Sequence, residues 1–165
     1  MLKRLKGMFG KNEDDGMIIL SPIKGEIRDI TEVSDITFRD KLLGEGIAIW
    51  PETGRVVAPV DGTIATMFIT KHACTIVSDQ GVEILIHVGL DTVNLKGEYY
   101  KSYVKDGDKV KAGDLILEFD MDRIKEAGYD LITPVVICNS ATYSKVETIT
   151  GKKAEELDVI MQIAK

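Results

Sequence analysis

The sequence predicts an all-β fold, an antiparallel β-sandwich or barrel-sandwich with a few short helical turns. Two observations predict it: the apolar runs are short, and clusters of Gly, Pro, Asp and Asn separate them at close intervals. Strands are expected at residues 17–20, 47–50, 56–57, 75–77, 82–88, 115–119 and 135–138. No long helical periods alternate with them, which argues against parallel βαβ units. Residues 37–43 and 121–128 read as helical turns, the second ending at Gly128, a residue suited to a helix C-terminus. Ser21-Pro22-Ile23-Lys24-Gly25-Glu26-Ile27 is echoed by Ala58-Pro59-Val60-Asp61-Gly62-Thr63-Ile64. The echo, with the Gly107-Asp108 and Gly113-Asp114 turns, suggests a sheet built from similar hairpin units.

Composition narrows the function. The 165 residues suit one domain with a real core, and 44% hydrophobic with 29% charged residues suits a soluble globular chain. No apolar run approaches the roughly 20 residues that span a bilayer, and the N-terminus carries no secretory pattern. A net charge of −6 argues against nucleic acid as a partner. Cys74 and Cys138 form no CxxC pair and belong in a reducing, cytoplasmic setting.

Two parts are expected: a flexible basic, amphipathic segment over residues 1–16 and one β-sandwich domain over 17–165. Leu2, Leu5 and Phe9 share one helical stripe flanked by Lys3, Arg4 and Lys6. Residues 1–12 therefore read as a weak contact to an anionic membrane, with a solubilising tail as the plainer alternative.

His72 and His87 are the only histidines, and a turn-forming stretch, Ser78-Asp79-Gln80-Gly81, lies between them. The natural reading is a β-hairpin. An even-length loop sets His72 directly opposite His87, with side chains about 4.5–5.5 Å apart at Cβ. Thr70, His72 and Cys74 then share a face with Leu85 and His87. Two facing imidazoles suit phosphoryl transfer through a ring nitrogen, the second ring donating to the phosphoryl oxygens. They also suit zinc, with Cys74 or a carboxylate as a further ligand, and the plain alternative is two histidines packed in a sheet. After His87 the strand breaks at Gly89, where a backbone carbonyl is placed to fix the tautomer of His87.

Further motifs surround this pair. Thr70-Lys71-His72-Ala73 and His87-Val88-Gly89-Leu90-Asp91-Thr92-Val93 are followed by Leu95-Lys96-Gly97, Val110-Lys111-Ala112-Gly113-Asp114, Glu118-Phe119-Asp120 and Thr133-Pro134-Val135-Val136. With Ala58-Pro59-Val60-Asp61-Gly62 before them, they resemble the glucose-type IIA family of the bacterial sugar phosphotransferase system from about Met17 to the C-terminus. The resemblance implies a sandwich with a shallow groove holding both histidines. It implies that His87 is phosphorylated at Nε2, that His72 supports it, that Thr70 brings a hydroxyl near the phosphate, and that the Gly89 carbonyl holds the other nitrogen of His87. It implies the histidine phosphocarrier HPr as donor and a cysteine of a IIB domain, feeding a IIC permease, as acceptor. Phe38, Leu42, Leu43 and Phe68 would form the docking surface, with Asp35 and Asp91 as acidic neighbours. Family members also bind zinc between the two histidines, which is secondary, and phosphorylation would alter the binding of regulatory targets. Leu85 departs from relatives that carry an aromatic before the active histidine.

Two rivals share this broad architecture. A zinc-dependent hydrolase of the lysostaphin type needs an H-x-H pair and a third histidine, which two histidines cannot supply. A lipoyl- or biotinyl-type carrier fits the Gly-Asp turns but needs a lysine at a hairpin tip flanked by small residues or methionine.

Overall fold

The computed structural model describes residues 17–165, so the readings made for residues 1–16 lie outside the described residues. In chain order the strands are β1 (Met17–Leu20), β2 (Gly25–Asp29), β3 (Glu45–Pro51), β4 (Arg55–Val57), β5 (Gly62–Met67), β6 (Ala73–Ser78) and β7 (Glu83–His87). There follow β8 (Tyr100–Ser102), β9 (Lys109–Val110), β10 (Leu115–Phe119), β11 (Thr133–Ile137), β12 (Lys145–Thr148), β13 (Lys152–Ala154) and β14 (Val159–Ala164). One large sheet has the order β13-β2-β3-β11-β7-β6-β5-β9, and two smaller ones are β1-β14-β12 and β4-β10-β8. The ladders are antiparallel, as the sequence predicts for a β-sandwich. The two helical turns are α1 (Ile36–Arg39), capped by Asp35, and α2 (Met121–Glu126), capped by Asp120 and followed by Gly128 at φ +91°.

Strands at the centre of the large sheet are buried on both faces, which is why their apolar runs are continuous. Along β7, Ile84 and Ile86 enter the main core while Leu85 enters a second cluster on the other face. Along β11, Val135 and Ile137 point one way and Val136 the other, and Ile47, Ala48 and Ile49 of β3 repeat the pattern. Strands β2, β5 and β14 and the short strands β8, β9, β12 and β13 were not among the expected ones. Most are two to four residues long, too short for period-2 alternation to stand out.

The echo in the sequence is a structural repeat. Leu20 N donates to Pro59 O at 3.1 Å, and the equivalent Val57 N donates to Pro22 O at 2.8 Å, so the two P-x-x-G turns bond reciprocally. Ser21 N bonds Asp158 O as Ala58 N bonds Asp114 O, and Gly151 N bonds Ile27 O as Gly107 N bonds Ile64 O. Thus β1, β2, β13 and β14 repeat as β4, β5, β9 and β10. The order of the large sheet reads alike outward from the β11–β7 pair. Both turn glycines meet a neighbouring strand closely: a Cβ on Gly25 would lie 2.1 Å from Trp50 O, and one on Gly62 would lie 2.3 Å from Val77 O.

The repeat fails over the outer face, in the connection after its second strand. Residues 30–44, holding the 3-10 turn Ile30–Glu32 and α1, join β2 to β3, whereas only residues 68–72 join β5 to β6. Ile30, Val33 and Phe38 from the longer connection cover the second cluster around Ala48, Leu85 and Val136. The outer face is thereby roofed over one half and low over the other. The two histidines sit at that boundary.

Gly25→Ala and Gly62→Ala should each lose about 1–3 kcal/mol, because the new methyl meets a backbone carbonyl that a paired strand holds in place. Urea unfolding at constant m-value measures this, and a wild-type midpoint for either variant would contradict the close approach.

Candidate functional site

The hairpin between the histidines forms, but its loop is odd. Ser78 N donates to Val82 O at 2.8 Å, leaving the three-residue loop 79–81 with Gly81 at φ +94°. Such loops end on a residue in the left-handed region, which glycine adopts at no steric cost. Asn139 pins the turn, accepting from Glu83 N and donating to Gly81 O. The register therefore pairs Ala73, not His72, with His87, and Cys74 with Ile86. This corrects the expected face: Cys74 points into the main core, while Ala73 and Leu85 lie in the cluster on the other side.

The imidazoles nevertheless meet, because His72 stands outside the strand. Lys71 has φ +59° and its N donates to Phe68 O, so the chain turns before β6 begins and the alternation does not apply to His72. The ring centroids of His72 and His87 are 4.8 Å apart with planes at 87°. A backbone hydrogen bond of 2.7 Å, from Val88 N to His72 O, ties the two segments together.

Each ring has its Nδ1 engaged two residues away. His87 Nδ1 lies 2.7 Å from Gly89 O, an acceptor only, so this nitrogen carries the proton and Nε2 holds a free lone pair. Gly89 reaches that position at φ +87°, and a Cβ there would lie 2.6 Å from Thr92 Cγ2 and 2.9 Å from Asp130 O. His72 Nδ1 lies 2.7 Å from Thr70 Oγ1, so this hydroxyl is engaged with the ring. Phe38 packs on His87 at 5.0 Å, and Phe68 meets His72 edge-on at 5.5 Å.

Burial keeps both rings neutral. His72 is 2% exposed, and desolvation followed by the neighbouring His87 pushes its pKa down to about 4. Burial also lowers that of His87, opposed by the Gly89 carbonyl and then by the charges of Asp35 and Asp91. A neutral ring with a free Nε2 is a nucleophile that needs no deprotonation.

On the connection that carries Phe38, Leu42 is 70% exposed, and Leu43 is exposed as well. Phe38 is buried instead, so it supports His87 from beneath rather than forming surface. Phe68 is half-buried, Asp35 half-buried as the cap of α1, and Asp91 exposed with φ +59°. Exposed Ile36, Ile69 and Val93 lie on the same connections as these residues and were missed. Single apolar residues in loops carry no periodic signal, and Ile69 ends an ordinary apolar run. Thr92 and Tyr100, which bond the carbonyl of Val88 beside the site, were also missed as contributors. Among the described residues no cluster of three or more His, Cys, Asp or Glu side chains is placed to hold a metal, so zinc at the pair would need a ligand from elsewhere. The buried Cys74 thiol is pushed up to about 12 by desolvation, and both cysteines are free.

Residues 17–143 match the family described as phosphoenolpyruvate-dependent sugar phosphotransferase system, EIIA 1. The chain is 53% identical over 133 residues to a PTS system beta-glucoside-specific EIIBCA component of Bacillus subtilis, covering 81% of this chain but only 22% of that relative. It is 42% identical over 154 residues to a PTS system glucose-specific EIIA component of Bacillus cereus, covering 93% of this chain and 92% of that one. Among solved structures, the glucose permease IIA from Mycoplasma capricolum superposes with a TM-score of 0.84 at 32% identity, covering 94% of this chain and 99% of that one.

The depressed His72 pKa sets a pH dependence. The unfolded ring binds a proton near pH 6.5 and the folded one only near 4, so the unfolded state gains protons first as pH falls. Stability should drop by about 2 kcal/mol between pH 7 and pH 4.5 from this ring, and His87 acts in the same direction. Chemical unfolding across that range should give a shallower slope for His72→Gln, and an unchanged slope would show that His72 is not held neutral.

Proposed function

The chain belongs to the phosphoenolpyruvate-dependent sugar phosphotransferase system EIIA 1 family, and from that premise we propose that it is a phosphohistidine carrier with His87 as the phosphorylated residue. One observation carries the reading: two neutral imidazoles lie 4.8 Å apart, and the Nδ1 of each is engaged two residues away. Nε2 of His87 attacks the phosphorus of the phosphohistidine on HPr. The donor's N–P bond breaks and its ring leaves with the electron pair. The product ring carries phosphate on Nε2 and a proton on Nδ1, a cation that Gly89 O stabilises directly and Asp35 and Asp91 through their charge.

In the second half a thiolate of a IIB-domain cysteine attacks the same phosphorus and His87 departs. Because Nδ1 keeps its proton, the leaving group is neutral imidazole rather than an anion. In this reading the Thr70 hydroxyl, 2.7 Å from His72 Nδ1, is the donor of that pair, which leaves the His72 proton on Nε2 for the phosphoryl oxygens. Fusion of IIA with IIB and IIC in the Bacillus subtilis relative, as its EIIBCA name states, supports a IIB partner. Exposed Leu42 and Leu43, with half-buried Phe68 beside His72, suit an apolar docking face, and Asp35 and Asp91 suit a basic partner. No helix among the described residues is long and apolar enough to cross a membrane, and the reading places the carrier in the cytoplasm, where its partners meet it. Phosphorylation adds about 1.5–2 negative charges to this face, a means of switching regulatory partners.

Intact mass after incubation with HPr, its phosphorylating enzyme and phosphoenolpyruvate tests the assignment. His87→Gln should gain no phosphate. His72→Gln should be labelled at a reduced level and pass phosphate to IIB about 10²–10³-fold more slowly, the usual cost of one oriented donor. A phosphorylated His87→Gln protein, or a His72→Gln protein that cannot be labelled, would overturn the roles.

A further inference from the structure

The carbonyl of Gly89 belongs to the Gly89–Leu90 peptide, whose Leu90 N donates to Asp130 O at 2.9 Å, and unusual provision is also made for the peptide before it. Val88 is fully buried at the end of β7. Its N donates to His72 O at 2.7 Å, and its O accepts two side-chain hydroxyls, Thr92 Oγ1 at 2.8 Å and Tyr100 Oη at 2.8 Å. A carbonyl has two lone pairs, so this one is saturated. Thr92 opens the 3-10 turn Thr92–Leu95 and reaches back four residues. Tyr100 reaches the same atom from β8, a strand of the small sheet β4-β10-β8 and so of a different sheet from His87. Both donors are buried.

We infer that Thr92 and Tyr100 are positioning residues for phosphoryl transfer: their hydroxyls clamp the Val88 carbonyl, and the fixed peptide aims the Gly89 carbonyl at His87 Nδ1. The inference rests on the carrier reading of His87. The chain leaves β7 at Val88 and turns at Gly89, whose φ of +87° brings its carbonyl back toward the ring. Rotation of the Val88–Gly89 peptide changes φ at Gly89 and so shifts that carbonyl relative to Nδ1. Gly89 O, at 2.7 Å, is the leading acceptor for that nitrogen, ahead of the ring's own backbone carbonyl. Without Gly89 O the proton is freer to move to Nε2, and a ring protonated there has no lone pair for phosphorus. Neither hydroxyl touches the phosphoryl group in this account, and both act through the tautomer. A plainer role, satisfying two buried hydroxyls, predicts lost stability with an unaltered ring.

Long-range proton–nitrogen spectra of the full chain at pH 8 read which nitrogen of His87 is protonated. The wild type should show Nδ1–H alone. Tyr100→Phe and Thr92→Val each delete one hydroxyl with little change of shape and should each show a partial Nε2–H signal. The double variant should show a dominant one, and Thr92→Ser, which keeps its hydroxyl, should match the wild type. In parallel, kcat for acceptance from HPr should fall about tenfold in the double variant with KM unchanged, since the docking face is intact. Should the double variant fail to fold, the single variants carry the same comparison. Folded variants that keep Nδ1–H alone, or that raise KM while kcat holds, would overturn the inference. A wild type that HPr cannot label, while the tautomer still follows the hydroxyls, would sink the carrier reading and leave the clamp standing.

Discussion

Burial of the central strands on both faces is the constraint on which the rest of the structure depends. Four strands, β3, β11, β7 and β6, form the middle of the large sheet, and their alternate side chains feed two separate clusters. A one-residue slip anywhere in this group would exchange Ile84 and Ile86 for Leu85 and His87, placing an imidazole in the main core. The register is thus enforced by the cost of burying polar groups as well as by apolar packing. His87 ends β7 on the face of the smaller cluster, where Phe38 supports it and solvent is close.

Local features of the fold and site were legible in the sequence, and features depending on distant partners were not. The capped helical turns, the hairpin between the histidines and the carbonyl after His87 rest on residues a few positions apart. Hydrogen bonds such as His87 Nδ1 to Gly89 O span two residues and are written in the chain itself. The hairpin register escaped because both even and odd loops fit Ser78-Asp79-Gln80-Gly81, and the left-handed Gly81 decided for the odd one. Proximity of the rings survived the wrong register only because His72 precedes the strand. Tyr100 could not have been assigned, since nothing near it in sequence betrays a bond to Val88 across two sheets.

The repeat explains why one site exists rather than two. Reciprocal bonds between the P-x-x-G turns, with the matching bonds of Gly107 and Gly151, make the two halves alike in backbone. They differ in the connection over the outer face, long in one half and short in the other. A groove requires a wall and an opening together, and only the boundary between the halves offers both. The histidines lie there, one at the end of a central strand and the other on the short connection.

Cys74 follows His72 by two residues, yet its sulfur faces the opposite side of the sheet and its pKa near 12 leaves it protonated. On the carrier reading, a molecule that relays phosphate to a foreign cysteine would run a risk that a nearby thiol of its own intercepts the group. Here the thiol is denied both a path and a charge: the sheet stands between it and the ring, and desolvation withholds the thiolate that attack demands. Interception by this neighbouring thiol is closed off by backbone parity, a safeguard that the register supplies without any residue devoted to it.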